Sequence, residues 1–143
     1  MLSTWNFNGI QYTEDTVNFP QTIYHTTWNS TGNELISVGD YGFHTPSSTG
    51  SDVEIIFYTK PVANKSYVVY NALPYSDSLC EVEYLSVVPT IQSSWVAQDS
   101  TQRVNVTVDS LGRITATFSN LYMWNSFGSP NHATLTGTLY EQY

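Results

Sequence analysis

The chain has 143 residues, enough for one domain with a sizeable core. Only 11% of them are charged, against roughly 25% in ordinary soluble domains, while 17 Ser, 18 Thr and 11 Tyr supply a polar, uncharged and strand-favouring mix. The net charge of −8, with Lys60, Lys65, Arg103 and Arg113 never clustered, excludes nucleic acid and anionic membrane surfaces as expected partners, and no apolar run reaches the ~20 residues of a transmembrane helix.

The predicted elements are strands throughout. Asn8-Gly9 is a strong hairpin signal, because a two-residue type I′ turn needs positive φ at both positions. It pairs Phe7 with Ile10, Asn6 with Gln11, Trp5 with Tyr12 and Thr4 with Thr13. Apolar and polar pairs then sort onto opposite faces, as period-2 alternation demands. Strands are expected next over Thr16–Phe19, Ile23–Trp28 and Glu34–Val38, with "NSTGN" (29–33) as a turn. The Gly-, Ser- and Thr-rich stretch from Gly39 to Asp52 reads as a long loop. Val53–Tyr58, Tyr67–Leu73 and Glu81–Val88 follow as strands, and Trp95–Gln98 as a short one. Cys80 is the lone cysteine, so there is no internal disulfide, and its place in "SLCEVEYL" predicts a buried strand thiol.

The C-terminal third is the clearest. A three-residue loop, Ser110-Leu111-Gly112, with Gly112 in the left-handed region, pairs Asp109 with Arg113, Val108 with Ile114, Val106 with Ala116 and Val104 with Phe118. Every apolar residue then falls on one face, and an ion pair closes the loop. The last strand, Ala133–Tyr140, turns Leu135, Gly137 and Leu139 inward. The fold expected is an all-β, single-domain antiparallel β-sandwich of about ten short strands, with a β-barrel as the alternative.

"TWNFNGIQYT" near the start, "GRITATFSNLYM" (112–123) and "ATLTGTLYE" (133–141) occur in that order. Together they resemble the small secreted or lipoprotein-like β-sandwich domains of Bacteroidetes. The resemblance covers the two ends, about 45 residues, and carries no catalytic motif with it. It implies export to the cell envelope, typically on a lipidated N-terminal cysteine. No such cysteine stands at the start of this sequence, where Met1-Leu2-Ser3 runs straight into the first strand. The expectation is therefore an extracytoplasmic chain whose leader has been removed.

Motifs for chemistry are sparse. His25, His44 and His132 are scattered without metal-ligand spacing, and no G-x-S-x-G elbow or phosphate cradle appears. Glu81 and Glu83 share one face of a strand, and Asp40 and Asp52 flank the long loop. Each pair is more simply a solvated face or a loop than an acid–base or cation site. No catalytic residue, metal or cofactor is expected.

Aromatics are the remaining candidates. Trp5 and Trp28 read as core. If strand parity persists past Phe118, Tyr122 and Trp124 follow it inward and Met123 faces the other way. Beyond the strand's end, Trp124 and Phe127 sit at the rim, in a loop ending in Pro130. Trp95, flanked by serines, is a second exposed candidate. Exposed rings on a rigid β-scaffold stack on sugars or anchor proteins. The expected function is a non-catalytic extracytoplasmic binding module for a carbohydrate or a cell-surface protein, with Trp124, Tyr122 and Trp95 as contacts. The alternative is a structural subunit of a fibre, capsid or adhesin stalk.

Overall fold

The computed structural model describes residues 3–14, 22–28, 33–43, 50–58, 61–69, 76–88, 91–125 and 132–140. Eleven strands make it up, with no helix among the described residues: β1 (Thr4–Phe7), β2 (Ile10–Glu14), β3 (Thr22–Trp28), β4 (Asn33–Phe43), β5 (Gly50–Phe57), β6 (Lys65–Val69), β7 (Leu79–Val88), β8 (Ile91–Ala97), β9 (Arg103–Val108), β10 (Ile114–Trp124) and β11 (His132–Tyr140). Hydrogen bonds join them in the order β11-β1-β2-β4-β5-β7-β6-β9-β10-β8, with β3 on β4 and further pairings β10–β11 and β7–β8. The ladder returns on itself, yet β8 and β9 share the same edge of β10, so the arrangement is sandwich-like and not a clean barrel.

The first hairpin has the expected register, from Phe7↔Ile10 to Thr4↔Thr13. Asn8 and Gly9 have φ of 52° and 89°, and the Gly9 N–H donates to Asn6 Oδ1 at 2.9 Å. The second hairpin also follows its expected register from Ile114↔Val108 to Thr117↔Asn105. Gly112 has φ of 81°. Arg113 Nε lies 2.7 Å from Asp109 Oδ2, and the Arg113 backbone N–H, foremost among several donors, holds the Asp109 carboxyl below its ordinary range. The β9–β10 ladder ends at Thr117↔Asn105, one pair short of the expected Val104–Phe118.

Three expectations change. Gly39–Phe43 and Gly50–Asp52, read as loop, are strand: β4 and β5 pair from Ile36↔Phe57 to Phe43↔Gly50. Glycine and serine have low strand propensity, but an eight-pair ladder between two neighbours overrides it. Asp40 and Asp52 therefore lie within strands, opposite Val53 and Tyr41. Next, β6 and β7 pair in parallel, so the sheet is mixed. A parallel pair needs a long crossover in place of a hairpin, which no local turn signal announces. Third, β8 begins at Ile91, ahead of the expected start at Trp95. The expected strand at 16–19, the 29–32 turn residues, His44 and Phe127 lie outside the described residues.

The core forms where β1, β2, β10 and β11 face β5, β7 and β8. Trp5, only 1% exposed, stacks on Tyr12 with ring centroids 6.1 Å apart, and its Nε1–H donates to Ser51 Oγ on β5 at 2.7 Å. Phe7 lies on Tyr84 of β7 at 3.8 Å between centroids. Strand β1 is far from β5 and β7 along the ladder, so the Trp5–Ser51 and Phe7–Tyr84 contacts run across the interior between two layers. Cys80 is fully buried. Burial, aided by neighbouring Glu81, pushes its thiol up to about 12.

Gly137 sits between Phe118 and Trp5 in one cross-strand row. A Cβ there would meet Phe118 Cζ, the Thr4 carbonyl oxygen and Trp5 Cβ, each at 2.9 Å. The Phe118 ring occupies the space that a side chain would need. Glycine is required for close packing at this position.

Candidate functional site

The site begins with a break in alternation. Along β10, Ile114, Ala116 and Phe118 face inward, and then Leu121 and Met123 do. The pairing with β11 steps from Phe118↔Gly137 to Leu121↔Leu135, so Ser119 and Asn120 together oppose Thr136. This is a β-bulge, one extra residue that resets which side chains face the core. Asn120 takes φ of 52°, a left-handed conformation that Asn tolerates better than most residues. Parity therefore does not persist. Tyr122 and Trp124, expected to follow Phe118, project outward at 39% and 36% exposure, while Met123 is fully buried. Trp124 is also still in the strand, in register with Val96 of β8 and His132 of β11.

Two side chains clamp the bulge. Gln102 lies in the turn between β8 and β9, opposite the stretch of β10 that neither strand covers. Its Nε2 donates to the Asn120 carbonyl at 2.6 Å, and its Oε1 accepts from the Tyr122 N–H at 2.7 Å. Thr136 Oγ1 accepts from the Asn120 N–H at 2.9 Å. Gln102 thus supplies the hydrogen bonds that a neighbouring strand would otherwise make. Its turn is in turn held by Asp99, whose carbonyl accepts from the Gln102 N–H at 3.0 Å. The Thr101 hydroxyl and backbone N–H both donate to Asp99 Oδ1. Those two bonds, the hydroxyl's first, hold the Asp99 carboxyl below its ordinary range.

Tyr122 and Trp124 line a recess of about 290 Å³ with Gln98 and Asp99. His132 stacks on Tyr122, with ring centroids 5.3 Å apart and planes at 14°. The recess offers two aromatic faces on a paired strand, with an amide and a carboxylate just past the end of β8, a set able to stack on an apolar ring face and hydrogen-bond its edge.

Trp95 does not join them. It is half-buried and packs against the core, edge-on to Phe7 with centroids 5.4 Å apart. It precedes Val96, the residue in register with Trp124, and successive residues face opposite sides. Gln98, Asp99, Gln102 and His132 escaped sequence reasoning as parts of the site. The slip in the apolar pattern, from even numbers through Phe118 to odd ones from Leu121, with an Asn at the step, was the available signal.

The acidic candidates lie elsewhere. Glu81 and Glu83 do share the outer face of β7, with Val82 and Tyr84 buried between and beyond them. Glu81 accepts a hydrogen bond from the Tyr58 hydroxyl, and Glu83 stands opposite Glu54 of β5. No group of three or more His, Cys, Asp or Glu able to hold a metal occurs among the described residues. No helix among them is long and apolar enough to cross a membrane. No protein-family model, curated protein or solved structure matches the chain.

Proposed function

We propose that the protein is a non-catalytic extracytoplasmic binding module that recognises carbohydrate through Tyr122 and Trp124. The observation that carries this reading is the bulge at Ser119-Asn120, which turns both rings out of the core into one recess. Burying these rings would give stability, so exposing two of them on a paired strand calls for another role. The strand and its Gln102 clamp hold them ready, so little conformational freedom is lost on binding. Asp99, ionised and oriented by Thr101, can accept hydrogen bonds from ligand hydroxyls. It is the one carboxylate lining the recess among the described residues, which favours binding over paired acid–base chemistry. Placement in the bacterial envelope rests on the sequence resemblance.

Tryptophan fluorescence titrated with soluble polysaccharides tests the proposal. A shift that saturates, and a Trp124→Ala variant with affinity lower by on the order of tenfold or more, are expected for a contact of this kind. Unchanged affinity in Trp124→Ala would remove the site. Concentration-dependent assembly without any ligand would favour the structural-subunit reading.

A further inference from the structure

A second concavity lies on the same outer face. It is a groove of about 310 Å³ across β9, β10, β11, β1 and β2, with Asn6, Gln11, Asn105, Thr117, Ser119 and Thr136 among its lining residues. Register aligns one row straight across these strands: Asn105↔Thr117, Thr117↔Thr138, Thr138↔Thr4 and Thr4↔Thr13. None of the described residues lining the groove is charged. The side chains of Thr4, Ser119 and Thr138 make no hydrogen bond to the rest of the chain among the described residues. What the groove presents is a set of hydroxyls and amides on a paired, twisted surface, with nothing to neutralise an ion.

Charge narrows the ligand further. The chain carries −8 overall, and its described cations are committed elsewhere. Lys65 Nζ donates to the Asp77 carbonyl and lies over the Tyr67 ring. Arg103 donates to the Ser100 and Gln102 carbonyls, and Arg113 pairs with Asp109. An anionic ligand would meet repulsion and no partner; a neutral polyhydroxylated one would meet donors and acceptors only.

The groove and the recess occupy opposite ends of β10 and β11. Thr138 and His132, at the two ends, are six residues apart on β11, about 20 Å at the rise of an extended strand. We infer that the groove is a second subsite for an extended neutral polysaccharide, which is gripped by stacking at Tyr122 and Trp124 in the recess and by hydrogen bonds to the Thr117 and Thr138 hydroxyls and the Asn105 amide in the groove. This rests on the carbohydrate reading of the recess. Two linked contacts make the second binding event intramolecular, so affinity grows with chain length beyond a single ring.

The test is native affinity electrophoresis of the full chain in gels containing dextran, yeast mannan or hydroxyethylcellulose, with carboxymethylcellulose as the anionic control. At least one neutral polymer should retard the protein, and the anionic one should not. The double variant Thr117→Val/Thr138→Val keeps β-branched strand residues while removing two hydroxyls, and should weaken retardation on the order of tenfold. Ser119→Ala, removing a hydroxyl that holds no partner among the described residues, should weaken it less and serves if the double variant melts early. Monosaccharide binding to the recess, followed by Trp124 fluorescence, should be unchanged in both. If both variants bind polymer like wild type while Trp124→Ala does not bind, the second subsite is overturned and the recess stands. Preference for carboxymethylcellulose, or dimerisation of the free chain through this face, overturns it as well. Retardation by none of the polymers, or an unaffected Trp124→Ala, overturns the recess reading and this inference with it.

Discussion

The hairpin at Asn8-Gly9 and the distal half of β10 are both aromatic, alternating β-structure, yet they put their tryptophans in opposite places. In the hairpin the turn imposes one register, and unbroken alternation carries Trp5 and Tyr12 into the core. In β10 the alternation starts equally well, through Ile114, Ala116 and Phe118, and a single extra residue then reverses it. Trp124 is exposed because of a backbone irregularity four to five residues upstream, held by a glutamine from another turn. Whether a ring is buried or exposed thus depends on local phase and much less on the ring itself.

The largest expected difference between the two regions is in stability. Trp5→Ala should lose about 3–5 kcal/mol, by truncating a fully buried ring and leaving Ser51 without its 2.7 Å partner. Trp124→Ala should change stability by only about 0.5 kcal/mol. Urea denaturation of the two variants side by side measures this, and equal losses would break the contrast. Gly137→Ala should be next, at about 1–3 kcal/mol, because the added methyl meets the Thr4 carbonyl oxygen, the Phe118 ring and Trp5 Cβ. A methyl tolerated there would mean that Phe118 can leave its place.

A smaller effect is expected at the clamp. Gln102→Ala removes two hydrogen bonds to the bulge and should lose about 1 kcal/mol. Hydrogen exchange at the Tyr122 amide should quicken markedly, while that of Trp5 should not. Unchanged exchange at Tyr122 would show that the bulge holds without its clamp. At neutral pH the smallest effect belongs to Cys80, which is silent there and acts only in alkali. Its thiol titrates near 12 when folded, against 9.0 ordinarily. The folded chain therefore retains a proton that the unfolded chain releases, so this stabilisation is complete below pH 9 and lost progressively between pH 9 and 12. At pH 8 native Cys80 should resist iodoacetamide, and urea-unfolded chain should react.

Local chemistry makes both hairpins legible in advance. Asn8-Gly9 and Gly112 admit the positive φ that their turns need, and alternation sorts the flanking residues onto two faces. The buried thiol at Cys80 and the shared outer face of Glu81 and Glu83 follow from the same period of two. The 39–43 and 50–52 segments were misread because Gly and Ser reveal nothing of the neighbours that pair with them. The parallel β6–β7 pairing is not made through a hairpin, so no hairpin turn signal carries it.

At the candidate site the division is sharper. Sequence alone singled out Tyr122, Trp124 and Trp95, on aromatic character and position. Only the folded chain separated them, turning the first two out through the bulge and leaving Trp95 against Phe7. The reason is that alternation is a property of one strand and can be read from it. A bulge depends instead on how many residues the partner strand offers in return, and on Gln102 and Thr136 reaching in from elsewhere to satisfy the backbone it frees.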